Sequence, residues 1–176
     1  MRRLLLLFCM TVGLLSLSGQ VTAENLDSLS TEKRNKKLIK LAKEVVLRHG
    51  PDFYREYKPP VIKSQRVSDK TVDMTVEMIE RYKGRSYYTI EYPYNIKEEV
   101  FHNYYSVKVY VWGATGKVFS ILFGNGREIT DYDTLTEKEK RQIKTVQFHK
   151  KRPRKRVTDT IRDPNGEIIR IEHRYE

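Results

Sequence analysis

The sequence predicts an α+β fold: an N-terminal amphipathic helix packed on an antiparallel β-meander, followed by a short helix and a C-terminal β-hairpin. Three observations lead to it. Leu38, Leu41, Ala42, Val45 and Val46 recur at helical spacing, with lysines on the opposite face. After Pro59-Pro60 the apolar period changes to two, the spacing of a half-buried strand. The stretch from Tyr104 to Phe123 then reads as two alternating runs around Gly113-Ala114-Thr115-Gly116. Its glycines suit a tight reversal, so this hairpin is expected at the centre of the sheet.

The elements follow in chain order. Residues 24–30 read as a loose linker. Thr31 is placed to cap the helix, with Glu32 favourably set against the helix dipole. Gly50-Pro51 stops that helix, and Pro51 opens one further turn that buries Phe53 or Tyr54. Val61 to Val67 is a first strand. Val72, Met74, Val76 and Met78 alternate with polar residues, which predicts a second strand. Lys83-Gly84 is a turn. Ser86 to Tyr92 is a third strand, with Tyr88, Ile90 and Tyr92 on one face and Tyr87, Thr89 and Glu91 on the other. The central hairpin supplies the fourth and fifth strands, with Val109 facing the helix, Lys108 facing away, and Phe119, Ile121 and Phe123 sharing one face.

Beyond Gly124-Asn125-Gly126, Thr136-Glu137-Lys138-Glu139 matches a capping box and starts a short helix. Asp163-Pro164-Asn165-Gly166 has the residues of a type I turn and centres a terminal hairpin. Two strands alone are marginal in water, so this hairpin is expected to dock.

The first 23 residues read as a secretory signal peptide. Arg2 and Arg3 form a basic start, Leu4 to Leu17 an apolar run, and Val21-Thr22-Ala23 a small-residue cleavage site. The expected organisation is thus a signal peptide over 1–23, a linker over 24–30, a helix-on-sheet domain over 31–130 and a basic extension over 131–176. Cleavage removes Cys9, the single cysteine, and with it disulfide and thiolate chemistry. The mature chain is expected in the periplasm or the medium. Its charge is uneven: residues 24–140 hold 21 Lys and Arg against 18 Asp and Glu, and residues 141–176 hold 11 against 5. Such asymmetry points to an acidic partner of the tail.

The helix with Leu41-Ala42-Lys43-Glu44-Val45-Val46, the meander, and the ending Val107 to Ile121 with its Thr115-Gly116-Lys117 turn resemble the PepSY-type domains of exported bacterial proteins. The resemblance covers about residues 36–123. It implies a helix-on-sheet fold related to the cystatin-like shape, an extracytoplasmic location and a role in binding or restraining peptidases. Trp112-Gly113 stands where the family has a polar or acidic entry to the turn. The family pattern supplies no catalytic residues, so none carry over.

No constellation in the chain supports an enzyme, a cofactor or a metal. His49, His102, His149 and His173 have no second histidine at helical metal-pair spacing and read as surface residues. Asp131 and Asp133 follow a Gly-rich turn without the ligand count of a calcium loop. No serine lies in a nucleophile elbow. Two surface features remain. Nine of the twelve tyrosines and the single tryptophan lie between Tyr82 and Tyr132, and Tyr87, Lys108, Tyr110 and Trp112 would form a candidate binding face on the side of the sheet away from the helix. Lys150, Lys151, Arg152, Arg154, Lys155 and Arg156 form a candidate anion-binding run. The expected function is an exported, non-catalytic binding module engaging peptides, proteins, anionic polysaccharide or lipid surfaces, with nucleic acid disfavoured by export. The alternative is an inhibitor or regulator of a secreted peptidase.

Overall fold

The computed structural model describes residues 24–72, 74–148, 156–162 and 164–175. Five antiparallel strands form a meander in the order β1 (Val61–Arg66), β2 (Ser86–Tyr92), β3 (Val107–Trp112), β4 (Val118–Phe123) and β5 (Glu128–Ile129). Helix α1 (Thr31–His49) lies across β2, β3 and β4. The fold class is therefore α+β, with a helix on an antiparallel sheet.

The first core fills the space between helix and sheet. Leu38, Ala42 and Val46 of α1 meet Ile90, Val107, Val109, Val111, Ile121 and Phe123. Phe53 enters the same core from a 3-10 turn, Pro51–Phe53, which follows the helix directly. Val109 is fully buried against the helix side, and Lys108 points to the opposite face, where it pairs with Glu91 at 3.4 Å.

Three local expectations are corrected. The strand expected from Val72 to Met78 is instead an irregular segment leading into helix α2 (Val76–Tyr82). Thr75 caps it by accepting from the Met78 amide at 3.3 Å, and Glu77 pairs with Arg81 one turn on at 2.7 Å. Met78, Ile79 and Tyr82 lie at positions that a helix gathers on one side, and that side, with Met74 just ahead of the helix, packs on the sheet. Period two and period 3.6 both fit the same methionines over so short a run, and packing selects the helix.

The second correction is at Phe119. Register shifts between Tyr110 and Val111: Tyr110 faces Ser120, whereas Val111 faces Val118. Phe119 is the extra residue of a β-bulge, which turns its ring away from Ile121 and Phe123 to the other side of the sheet.

The third is at residues 24–30. They carry a 3-10 turn, Leu26–Ser28, with Leu26 fully buried and its amide donating to the Gly113 carbonyl at 2.8 Å.

Downstream, the capping box forms as expected. Thr136 and Glu139 exchange side-chain-to-backbone bonds at the start of α3 (Glu137–Gln142). The terminal hairpin is β6 (Arg156–Arg162) with β7 (Ile168–Tyr175), a separate two-stranded antiparallel sheet. No helix among the described residues is long and apolar enough to cross a membrane.

Candidate functional site

The aromatic face expected at Tyr87, Lys108, Tyr110 and Trp112 is a second core. Tyr87, Tyr110 and Trp112 are 2%, 2% and 1% exposed. Trp112 stacks on Phe119 with ring centroids 3.9 Å apart, Tyr82 of α2 lies 4.9 Å from it, and the Arg85 guanidinium sits 4.1 Å over its ring. Its Nε1 donates to Asp133 at 3.0 Å. Lys108 is half-buried, between Glu91 and the Tyr105 ring. Misreading α2 as a strand left this face open in the expectation, and the helix covers it in the structure. The other expected site, Lys150, Lys151, Arg152, Arg154 and Lys155, lies outside the described residues, and Arg156 opens β6.

Two polar clusters escaped the sequence reading. Asp27 accepts from the hydroxyls of Ser86 and Tyr88, the latter at 2.7 Å. A Cβ on Gly113 would sit about 2.5 Å from the Asp27 carboxylate, so only glycine lets that carboxylate approach. Arg55 forks onto Glu99 through two bonds of 2.6 Å, which ties the loop after β2 to the end of the α1 region. Both clusters join chain segments and leave the carboxylates occupied.

His49, expected at the surface, is 1% exposed. Its Nε2 and the Tyr132 hydroxyl are hydrogen-bonded at 2.9 Å, with the rings edge to face. Burial, reinforced by the neighbouring Arg48 and Lys140 cations and opposed by Glu137, holds its pKa below the ordinary histidine value. The unfolded chain therefore binds a proton that the folded chain refuses. Stability is expected to fall as pH drops below the ordinary histidine range near 6.5, with a slope of at most about 1.4 kcal/mol per pH unit from this group. Urea unfolding between neutral pH and pH 5 would measure it. A His49→Gln variant should lose that part of the slope, and an unchanged slope in the variant would assign it to other groups.

The outer edge of the sheet is an exposed surface with a regular pattern of backbone groups. Pro59-Pro60 ends the preceding turn, and β1 then pairs with β2 over its whole length, from Val61 opposite Glu91 to Arg66 opposite Ser86. Alternation decides which backbone groups look outward. The Ser86 and Tyr92 carbonyls accept from Gly113 and Ser106 at 2.9 Å, so the even-numbered residues of β2 turn their polar groups to β3. Tyr87, Thr89 and Glu91 then bond to β1 through Gln65, Lys63 and Val61. The N–H and C=O groups of Ile62, Ser64 and Arg66 consequently point away from the sheet, and among the described residues no strand lies beyond them. Every residue of β1 is exposed except Ile62, which is half-buried. At the other edge β5 has two residues, too short to receive a partner strand.

The surroundings of this edge are basic and apolar by turns. Lys58, Lys63, Arg66 and Lys70 flank it, and Asp69, the nearest carboxylate in sequence, is held by Lys83 at 2.6 Å. Lys63 and Lys70 have no ion pair among the described residues. Beyond the end of β1 an open cleft of about 270 Å³ is lined by Gln65, Arg66, Ser68, Lys70 and Val72, with Tyr87 at its floor. Val72 projects there, 91% exposed, and Tyr57 and Val61 are half exposed at the opposite end.

Among the described residues, no group of three or more His, Cys, Asp and Glu converges as a metal site. No family model, curated protein or solved structure gives a significant match to the chain.

Proposed function

We propose that this protein is an exported, non-catalytic binding module, PepSY-like in its helix-on-sheet core, that takes up an extended segment of another polypeptide by strand addition to β1. The observation that carries the reading is the row of outward N–H and C=O groups at Ile62, Ser64 and Arg66 on a six-residue exposed strand. A strand of ordinary length is available, in register with a buried neighbour, while the opposite edge is blunted. Main-chain hydrogen bonds would supply affinity, and the side chains beside the edge would supply selectivity.

Proline scanning tests this directly. The Ser64 amide faces outward, so Ser64→Pro removes a donor the sheet does not use and places a ring in the path of an incoming strand. The expected result is a melting temperature close to that of the unaltered protein together with loss of binding to extended peptides. Lys63→Pro, which breaks a bond to β2, serves as the contrasting control and should unfold the edge. Hydrogen exchange should slow at Ile62, Ser64 and Arg66 when a peptide is bound. Binding that survives Ser64→Pro unchanged would overturn the reading. Inhibition of a cysteine or metallopeptidase by the mature chain, with β1 unprotected, would favour the peptidase-regulator alternative instead.

A further inference from the structure

The charge along β1 narrows the partner. We infer that the segment received at this edge is acidic, with apolar residues at its ends, an inference that rests on the strand-addition reading above. β1 itself, Val-Ile-Lys-Ser-Gln-Arg, contains no carboxylate. Lys63 stands near its middle, Arg66 closes it, and Lys58 and Lys70 lie just outside its two ends. Lys58 is held over the Tyr57 ring at 5.0 Å and Arg66 donates to the Gly84 carbonyl at 2.9 Å, so neither has its charge matched there by a carboxylate. Val72 at one end and Tyr57 and Val61 at the other would receive apolar side chains.

These cations act in two directions. Two copies of the chain joined antiparallel about Ser64 would set Lys63 of one diagonally across from the same lysine of the other, and like charges that close on paired strands are unfavourable. The edge is thereby closed to its own kind. For a strand carrying glutamates or aspartates the same positions are attractive, and each backbone bond formed lies next to a compensating charge. The occupant is therefore a foreign acidic strand and not a second copy.

The probe is a peptide as long as β1, with alternating Glu and Thr between terminal leucines, compared with versions carrying Gln or Lys in place of Glu. Affinity measured by calorimetry should rank Glu above Gln above Lys, and the Glu peptide should weaken as salt rises, since exposed charges are screened over about 10 Å at 0.1 M. Lys63→Gln should weaken the Glu peptide by about two- to fivefold and leave the Gln peptide unchanged. Lys63→Glu should reverse the ranking of the Glu and Lys peptides. Equal binding of the Glu and Gln peptides, both lost in Ser64→Pro, would overturn the acidic preference while keeping strand addition. Binding of the Glu peptide that Ser64→Pro leaves intact and that Gln replacement of Lys150 to Arg156 abolishes would overturn both and move the anion site to the tail. A dimer of the unaltered chain in sedimentation, dissolved by Ser64→Pro, would overturn the exclusion of a second copy.

Discussion

Trp112→Ala is expected to lower the free energy of unfolding by about 3–5 kcal/mol, the usual range for deleting a large buried aromatic side chain. The ring is 1% exposed and filled against on all sides: Phe119 stacks beneath it, Tyr82 packs beside it, and Arg85 lies over it. Removing it empties the centre of the second core and takes away the ring that Tyr82 of α2 packs against, leaving the helix to rest on Val67, Tyr87, Tyr110 and Phe119. It also withdraws the donor from Asp133. Trp112→Phe separates the two effects. It keeps most of the volume and loses the bond at 3.0 Å, so its cost should be near that of one hydrogen bond to a charged group, about 1.5–3 kcal/mol. Urea unfolding of the three proteins supplies the comparison. An exposed recognition residue would behave in the opposite way, with little change in stability in either variant. A cost for Trp112→Ala below that of Trp112→Phe would mean that α2 does not hold the ring.

That experiment bears on how far the residues themselves reveal the molecule. The strands β2, β3 and β4 are legible because alternation and burial agree over six or seven positions, and their glycine turns fall between them. The start of α3 is legible because a capping box is a local device, complete within Thr136 to Glu139. What fails is whatever depends on a distant partner. Met74 and Met78 fit a strand and a helix equally until the aromatic face they cover is known. Phe119 changes sides through a bulge that no alternation reveals. His49 ends a helix, where histidine is ordinarily solvated, and is buried because Tyr132 comes back to it from far along the chain. The candidate site shows the same division. Pro59-Pro60 and the exposed residues of β1 are visible in the chain, but which amides point outward follows only from register with Ser86 and Gly113. The signals that were available and missed are small: Thr75 three residues before Met78, and Glu77 one turn before Arg81.

The N-terminal segment offers the second large effect. Leu26→Ala should cost about 2–5 kcal/mol, a buried leucine's range, although sequence alone marks residues 24–30 as a linker. Leu26 is fully buried among the side chains of the first core. Its backbone amide holds the Gly113 carbonyl, and the next residue, Asp27, takes the hydroxyls of Ser86 and Tyr88. Asn25 caps the turn by accepting from the Asp27 amide at 3.0 Å, and Glu24 pairs with Lys37. The segment thus closes the end of the core where β2 and the β3–β4 turn meet. A chain cut after Ala23 keeps every one of these groups, and if the chain is exported as proposed, mass spectrometry of the mature protein should find Glu24 first. A chain trimmed to begin at Leu29 loses the leucine, the carboxylate and the cap together, and should be destabilised at least as much as Leu26→Ala. Gly113→Ala should reproduce part of that loss without touching the segment, because the added methyl group displaces the Asp27 carboxylate from its seat. If trimming to Leu29 leaves the urea midpoint where it was, residues 24–28 are a linker after all, and the Gly113 position is free to accept a side chain.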